Sequence, residues 1–271
     1  MSFQFFKYSA TGNDFILVED FENSANKTPE FVKKLCNRNF GVGADGVLFV
    51  QKNNGKFFMN LINSDGSSAK MCGNGIRIVA KHLFDKKLIS QKTFEILTPS
   101  GSKTVSLSIK NDLVSSVVVN MGRAEFIGKK TFFDKSFIIL SMGNPHAVTF
   151  LPSFEKAWIS KVAPKIESDQ FFPDRTNVEF VQILSKNEIR LIVFERGAGF
   201  TLACGTGACA SIASAAKNGL IEFDKKITVN LPGGKLFITV LADYSVIMEG
   251  DATLVFSATA DDSIYGVDNA Q

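Results

Sequence analysis

Two of the four cysteines stand where a side chain can trade protons with a substrate. Cys72-Gly73-Asn74-Gly75 and Cys204-Gly205-Thr206-Gly207 share a Cys-Gly-x-Gly layout, and each opens a run that reads as a helix. Ile76 to Lys87 places Ile76, Val79, Ala80, Leu83 and Phe84 at helical spacing. Ala208 to Lys217 is dominated by alanine, the strongest helix former. A thiol at a helix start faces unpaired backbone N–H groups and the positive end of the helix dipole. That setting favours thiolate and is expected to lower the thiol pKa from about 8.5 toward neutrality. The two glycines let the backbone approach a bound anion closely.

One such cysteine would weigh little, because free cysteine is usually a small buried hydrophobe. Here the surroundings repeat too. Asn63 lies nine residues before Cys72 and Glu195 nine before Cys204; Asp45 and Asn177 each lie 27 before their cysteine. Gly12-Asn13 begins 60 before the first cysteine and Gly143-Asn144 begins 61 before the second. Leu88-Ile89 and Leu220-Ile221 both start at offset 16. The chain reads as a diverged duplication.

The elements that must position the two thiols follow the same plan in each half. Phe3 to Val18 reads as one or two strands broken at Ala10-Thr11-Gly12-Asn13, and Thr28-Pro29 starts a helix ending near Gly41. Phe31, Val32, Leu35 and Cys36 fall on its inner face. Gly41-Val42-Gly43-Ala44-Asp45-Gly46 matches G-x-G-x-x-G, but a helix precedes it and a strand follows. A dinucleotide loop needs the opposite order, so a tight turn is the better reading. Strands are expected at 57–62, 93–97, 103–109 and 113–119, and polar residues 121–136 read as a crossover.

In the second half, strands are expected at 137–140, 147–151, 177–184, 188–195, 226–231, 235–241 and 244–248. A helix from about Ser153 is expected to stop at Pro164. Each half is many strands plus one apolar helix, and a helix that apolar must be enclosed. The expected fold is α+β, with two pseudo-symmetric domains from an internal duplication, each a curved, mostly antiparallel sheet wrapped around a central helix. The expected halves are 1–120, carrying Cys72, and 121–257, carrying Cys204. Residues 258–271 are available to pack back on the first, and the active site falls in the cleft between the two.

Composition narrows the function classes. At 271 residues with 45% hydrophobic and 21% charged, the chain can bury two cores. A net charge of +3 without a basic block argues against nucleic acid. No apolar run reaches the roughly 18 residues of a membrane helix, and the N-terminus lacks a signal-peptide layout. A cytoplasmic location is the default, where Cys36, Cys72, Cys204 and Cys209 stay reduced. His82 and His146 are the only histidines, too few to build a metal site with Cys204 and Cys209, so no metal is expected. A homodimer is compatible with this reading, and the expected partner is a small molecule.

Two equivalent thiols at one cleft suggest a specific chemistry. One, as thiolate, removes a proton from carbon; the other, as thiol, returns a proton to the opposite face and inverts the centre. For an α-amino acid the difficulty is the weak acidity of Cα–H beside a carboxylate. Backbone N–H groups of Gly73-Asn74 and Gly205-Thr206 could hold that carboxylate and the charge developing on it. Two helix ends would then replace the electron sink of a cofactor, and none is expected.

The chain resembles the diaminopimelate epimerase family. The motifs are Gly12-Asn13-Asp14-Phe15, Gly41-Val42-Gly43-Ala44-Asp45-Gly46, and Asn63-Ser64-Asp65-Gly66 through Met71-Cys72-Gly73-Asn74-Gly75-Ile76-Arg77. They continue as Gly143-Asn144-Pro145-His146-Ala147, Arg175-Thr176-Asn177-Val178, and Glu195-Arg196-Gly197-Ala198-Gly199 through Ala203-Cys204-Gly205-Thr206-Gly207. Proline racemases typically carry His after the first Cys-Gly, so Asn74 argues against them. The resemblance implies cofactor-independent interconversion of LL- and meso-diaminopimelate, feeding lysine and peptidoglycan synthesis. It implies Cys72 and Cys204 as the acid/base pair, with His146 and Glu195 supporting proton transfer. Asn13, Asn63, Asn144, Asn177 and Arg196 would match substrate contacts, and Gly73, Asn74, Gly205 and Thr206 would supply N–H groups.

Two departures stand out: Phe200 replaces a usual Glu, and Gly46 stands where some members have Gln. Rival readings are an isomerase for another amino acid and a binding module that holds an amino acid without inverting it. Retention of both cysteines opposes the second rival. Arg77 reads as a solvated helix residue and His82 as structural.

Overall fold

Phe3 to Val18 forms two strands paired as a hairpin, β1 (Ser2–Ala10) and β2 (Asn13–Glu19), with the expected break between them. Thr11 and Gly12 turn it at φ of 48° and 83°, the left-handed pair that a two-residue hairpin loop requires. The computed structural model describes residues 2–53, 55–69 and 71–261. The chain forms two units, one of residues up to 119 together with those from 251 on, the other of residues 120–250.

In the first unit, α1 (Pro29–Cys36) is capped by Thr28, whose Oγ1 accepts the Phe31 N–H at 3.3 Å. It buries Phe31, Val32, Leu35 and Cys36 as expected, but ends well short of Gly41. Asn37 stops it, because its Oδ1 accepts the N–H groups of Asn39 and Phe40 at 2.9 Å each and turns the chain away. β3 (Gly46–Asn53) then runs parallel to β2, and β4 (Lys56–Asn63) antiparallel to β3. A short β5 (Ser68–Ala69) leads to α2 (Gly73–Asp85), followed by the meander β6 (Thr93–Thr98), β7 (Gly101–Lys110) and β8 (Leu113–Arg123). Helix α2 packs against β1, β2, β3, β4 and β7, so every residue from Gly73 to Ala80 is buried.

That enclosure overturns the reading of Arg77 as solvated, since its side chain is fully buried. Its guanidinium donates to Thr11 Oγ1 at 2.7 Å, Asp251 O at 3.1 Å and Gly73 O at 3.4 Å. A helix enclosed on all sides leaves no face for a long cation to reach water, so backbone carbonyls solvate it instead. Arg77→Ala should cost about 3 kcal/mol or more in urea unfolding, from the cavity and the acceptors left bare.

The second unit opens with β9 (Glu125–Phe132), which pairs antiparallel with β10 (Lys135–Ser141). The predicted crossover at 121–136 is thus a hairpin arm; β9 is mostly exposed, and exposure explains its polarity. β11 (Pro145–Phe150) follows, then α3 (Lys156–Glu167). Pro164 lies inside α3 rather than ending it. A proline removes one N–H bond, but Ile166 and Glu167 in the final turn are buried, and packing outweighs the loss. β12 (Asn177–Ser185) is parallel to β11, and β13 (Glu188–Glu195) and β14 (Gly199–Phe200) continue antiparallel. Helix α4 (Gly205–Lys217) precedes β15 (Lys226–Leu231), β16 (Gly234–Val240) and β17 (Ser245–Gly250). α4 packs against β10, β11, β12, β13, β16 and β17 and is buried from Gly207 to Ala216.

β18 (Thr253–Asp261) pairs with β1, Phe5 opposite Ala258 and Ser2 opposite Asp261. Residues 251–257, which the sequence attaches to the second half, therefore belong with the first unit. The part of the tail at 262–271 lies outside the described residues. The fold is α+β, sheet-dominated, with one enclosed helix per unit. Among the described residues no helix is long and apolar enough to cross a membrane.

Candidate active site

Each enclosed helix begins at its cysteine. Cys72 and Cys204 are the N-cap residues of α2 and α4, both in extended backbone, and each sulfur accepts a helix N–H: Gly75 at 3.2 Å and Gly207 at 3.4 Å. Both helices start at Gly73 and Gly205, earlier than periodicity alone predicts, because glycine runs carry no apolar signal. The second glycine of each motif is there for space. A Cβ on Gly75 would lie 3.0 Å from Leu48 Cδ2, and one on Gly207 would lie 2.9 Å from Glu179 Oε1.

In the first unit, Asn74 Nδ2 donates to Asn13 Oδ1 at 2.5 Å, and Asn13 Nδ2 donates to Asp45 Oδ2 at 2.9 Å. Asp45 is held in turn by Arg38 at 2.8 Å, which also grips Asp14 at 2.7 Å, and Lys7 closes the cluster on Asp14. Burial would raise Asp14, but the bonds from Arg38 and Lys7 outweigh it and hold the carboxyl below its ordinary value. Asn74 Oδ1 is buried with no hydrogen-bond partner among the described residues. Asn63 ends β4 opposite Gly46 and donates to Ser67 Oγ at 3.0 Å. A Cβ at Gly46 would meet Ile62 O at 2.7 Å, which explains the glycine here.

In the second unit, a chain of contacts runs inward from Cys204. Its sulfur lies 3.5 Å from Thr206 Oγ1, which accepts from Asn144 Nδ2 at 3.3 Å. Asn144 Oδ1 faces His146 Nε2 at 3.0 Å, and His146 Nδ1 lies 2.6 Å from Glu179 Oε1. Asn177 accepts the Arg196 N–H at 3.0 Å and donates to Pro145 O at 2.9 Å, while the Arg196 side chain is exposed and donates to Asp174 O. Glu195 accepts from Thr201 Oγ1 at 2.6 Å. Phe200 packs edge-on against Phe194 with ring centroids 5.0 Å apart.

The expected drop in thiol pKa fails at Cys204. Burial pushes this thiol well up, Glu195 and Glu179 push it further, and the Thr206 and Gly207 bonds only partly offset them. Desolvation of the thiolate outweighs the helix end because the sulfur is enclosed. Cys36 is buried in the core, and burial raises its thiol to about 12. Cys209 is fully buried on α4. His82 is held between Tyr8 Oη at 3.0 Å and Glu19 Oε1 at 2.8 Å, a structural role.

Sequence reasoning missed Glu179. Its one signal was a carboxylate among Val178, Phe180 and Val181, in a strand segment buried on both faces. Among the described residues, no three or more His, Cys, Asp or Glu gather as metal ligands. A cavity of about 510 Å³ in the second unit, lined by Phe154, Arg190, Asn230 and Pro232 among others, includes none of these site residues.

The family model described as diaminopimelate epimerase matches residues 5–127 and 138–255. A diaminopimelate epimerase of Methanothermobacter thermautotrophicus is 39% identical, over 93% of this chain and 96% of its own length. One of Bacillus cytotoxicus is 40% identical, over 93% and 95%. Two solved structures share the fold at 13% identity. A hydroxyproline epimerase from Agrobacterium vitis has a TM-score of 0.72, covering 98% of this chain and 95% of its own. A predicted epimerase from Pseudomonas aeruginosa has a TM-score of 0.74, covering 95% and 99%.

Proposed function

The chain belongs to the diaminopimelate epimerase family, a family of isomerases, and from that premise we propose that it interconverts LL- and meso-diaminopimelate through its two helix-capping thiols. The observation that carries this reading is the repeated cap, a cysteine sulfur on the first turn of an enclosed helix in each unit. One thiolate takes the α-proton, and the other thiol gives its proton to the opposite face of the same carbon. Afterwards the first sulfur is protonated and the second is not, so the reverse reaction uses the same pair with roles exchanged. Burial raises the Cys204 thiol, which suits it to act as acid in the direction where Cys72 is the base.

The first four N–H groups of a helix have no intrahelical acceptor. Those of Gly73-Asn74 and Gly205-Thr206 hold the reacting carboxylate and the charge that builds on it, which takes the place of a cofactor. Asn13, Asn63, Asn144, Asn177 and Arg196 hold the amino and carboxylate groups, and His146 and Glu195 support proton transfer at Cys204. The product serves lysine and peptidoglycan synthesis in the cytoplasm, and a homodimer is compatible with the role.

Turnover in D₂O tests the reaction. LL-diaminopimelate should yield meso product carrying deuterium at the inverted centre, because each thiol exchanges with water between cycles. Product without deuterium would remove the two-thiol scheme. No turnover of any amino acid would favour a binding module.

A further inference from the structure

The two halves differ at two buried strand positions close to the cysteine helices. Counting from the paired Gly-Asn motifs, Phe15 corresponds to His146. The strand registers agree: Leu17 stands opposite Leu48 in the first unit, and Val148 opposite Glu179 in the second. The glycines give the same match, since a Cβ on Gly75 would meet Leu48 first, whereas one on Gly207 would meet Glu179. The fold therefore needs only Phe and Leu at these two places. The second half instead holds an imidazole and a carboxyl, both fully buried, and burying such groups is costly unless they are paired.

The paired asparagines are also turned opposite ways. Asn13 sends its NH₂ to the Asp45 carboxylate and presents Oδ1 to Asn74. Asn144 presents its NH₂ to Thr206 and its Oδ1 to His146. An amide oxygen can only accept, so His146 Nε2 must carry a proton. The short Nδ1–Oε1 contact at 2.6 Å then needs one more proton, on the ring or on the carboxyl. Glu179 Oε2 has no hydrogen-bond partner among the described residues, and burial pushes this carboxyl up, with Glu195 adding to it and His146 opposing.

Building on the epimerase reading above, we propose that Glu179 is a positioning residue. It shares one proton with His146 Nδ1, fixes the Nε2–H form of the ring, and through it turns the Asn144 amide toward Thr206 beside Cys204. Without Glu179 the ring is free to move its proton to Nδ1. Nε2 then becomes an acceptor, Asn144 reverses, and Thr206 Oγ1 faces an amide oxygen instead of an NH₂. The second thiol loses the arrangement that distinguishes its surroundings from those of the first.

With only two histidines, ¹⁵N-histidine labelling reads the ring directly, and His146→Gln identifies its signals. Native protein at neutral pH should show His146 protonated at Nε2. Glu179→Leu installs the residue that the first half uses at this place, so it should fold with a melting temperature at or above the native value. Its His146 should shift to a mixture of tautomers, with kcat down about 10²-fold and KM changed much less, the scale of a misdirected acid–base group. Glu179→Gln can donate its amide N–H to Nδ1, so it should keep the Nε2–H form and recover kcat to within about tenfold of native, a small part of the same acid–base effect.

A bare Nε2 in native protein would overturn the proposal. So would a Glu179→Leu variant with native tautomer and kcat, or a Gln variant as impaired as the Leu variant. If native protein epimerises no diaminopimelate, the assigned reaction fails, yet the tautomer measurements still decide this proposal.

Discussion

Cys72→Ser and Cys204→Ser should each abolish epimerisation, by about 10³-fold or more, with the fold intact, because a proton-transfer group is removed outright. The sulfurs do two things at once, and serine separates them. As N-caps they satisfy a helix N–H, a role worth about 1 kcal/mol that a hydroxyl performs as well. As acid and base of the proposed reaction they must also ionise within reach of neutral pH, which an alcohol cannot do. Melting temperature should therefore stay near native while turnover vanishes. Each single variant keeps one sulfur, so it should still exchange the α-proton of one stereoisomer slowly in D₂O, the opposite one in each case. Cys36→Ala and Cys209→Ala remove buried thiols from the cores and should leave epimerisation largely unchanged. Near-native epimerisation by either serine variant would replace the scheme with a single base.

Glu195→Gln should make Cys204 more reactive and the enzyme slower. Burial is the main reason the Cys204 thiol sits high, and the Glu195 carboxylate is the next. A negative neighbour disfavours thiolate, so its removal lowers the Cys204 pKa. Alkylation of Cys204 by iodoacetamide should then begin at lower pH, while Cys36 and Cys209 stay unreactive if the protein remains folded. In the direction that uses Cys204 as acid, the proposed scheme starts from the state with the proton on Cys204. Once Cys204 competes for the negative charge, that state is depopulated, and kcat/KM should fall about 10²-fold, the scale of a mistuned acid–base pair. The overall equilibrium is unchanged, so the loss must be equal in both directions. An alkylation profile that does not move, or moves to higher pH, would show that Glu195 does not act on this thiol.

The architecture of both site halves was legible wherever the signal was local. Hairpin turns, the Thr28 cap and the two apolar helices each depend on a few neighbouring residues, and the duplication was readable from spacing alone. The expected membership of the family rested on motifs of the same kind. The errors share one cause, which is that exposure is not a local property. Residues 125–132 are polar because the strand they form faces solvent, and polarity alone reads as a loop. Pro164 normally ends a helix, but buried Ile166 and Glu167 carry α3 past it.

By itself, the sequence determined that two thiols would each cap a helix, because Cys-Gly-x-Gly before an apolar run fixes that geometry within one turn of chain. Only the tertiary structure decided what those positions mean electrically. Arg77 is enclosed because strands from five parts of the chain surround α2. Glu179 meets His146 because β11 and β12 run parallel, a pairing set across 33 residues of sequence. Cys204 is driven up rather than down because removing water from a thiolate costs more than one helix end returns. Desolvation depends on everything packed around an atom, and a residue's neighbours in sequence are only a few of those.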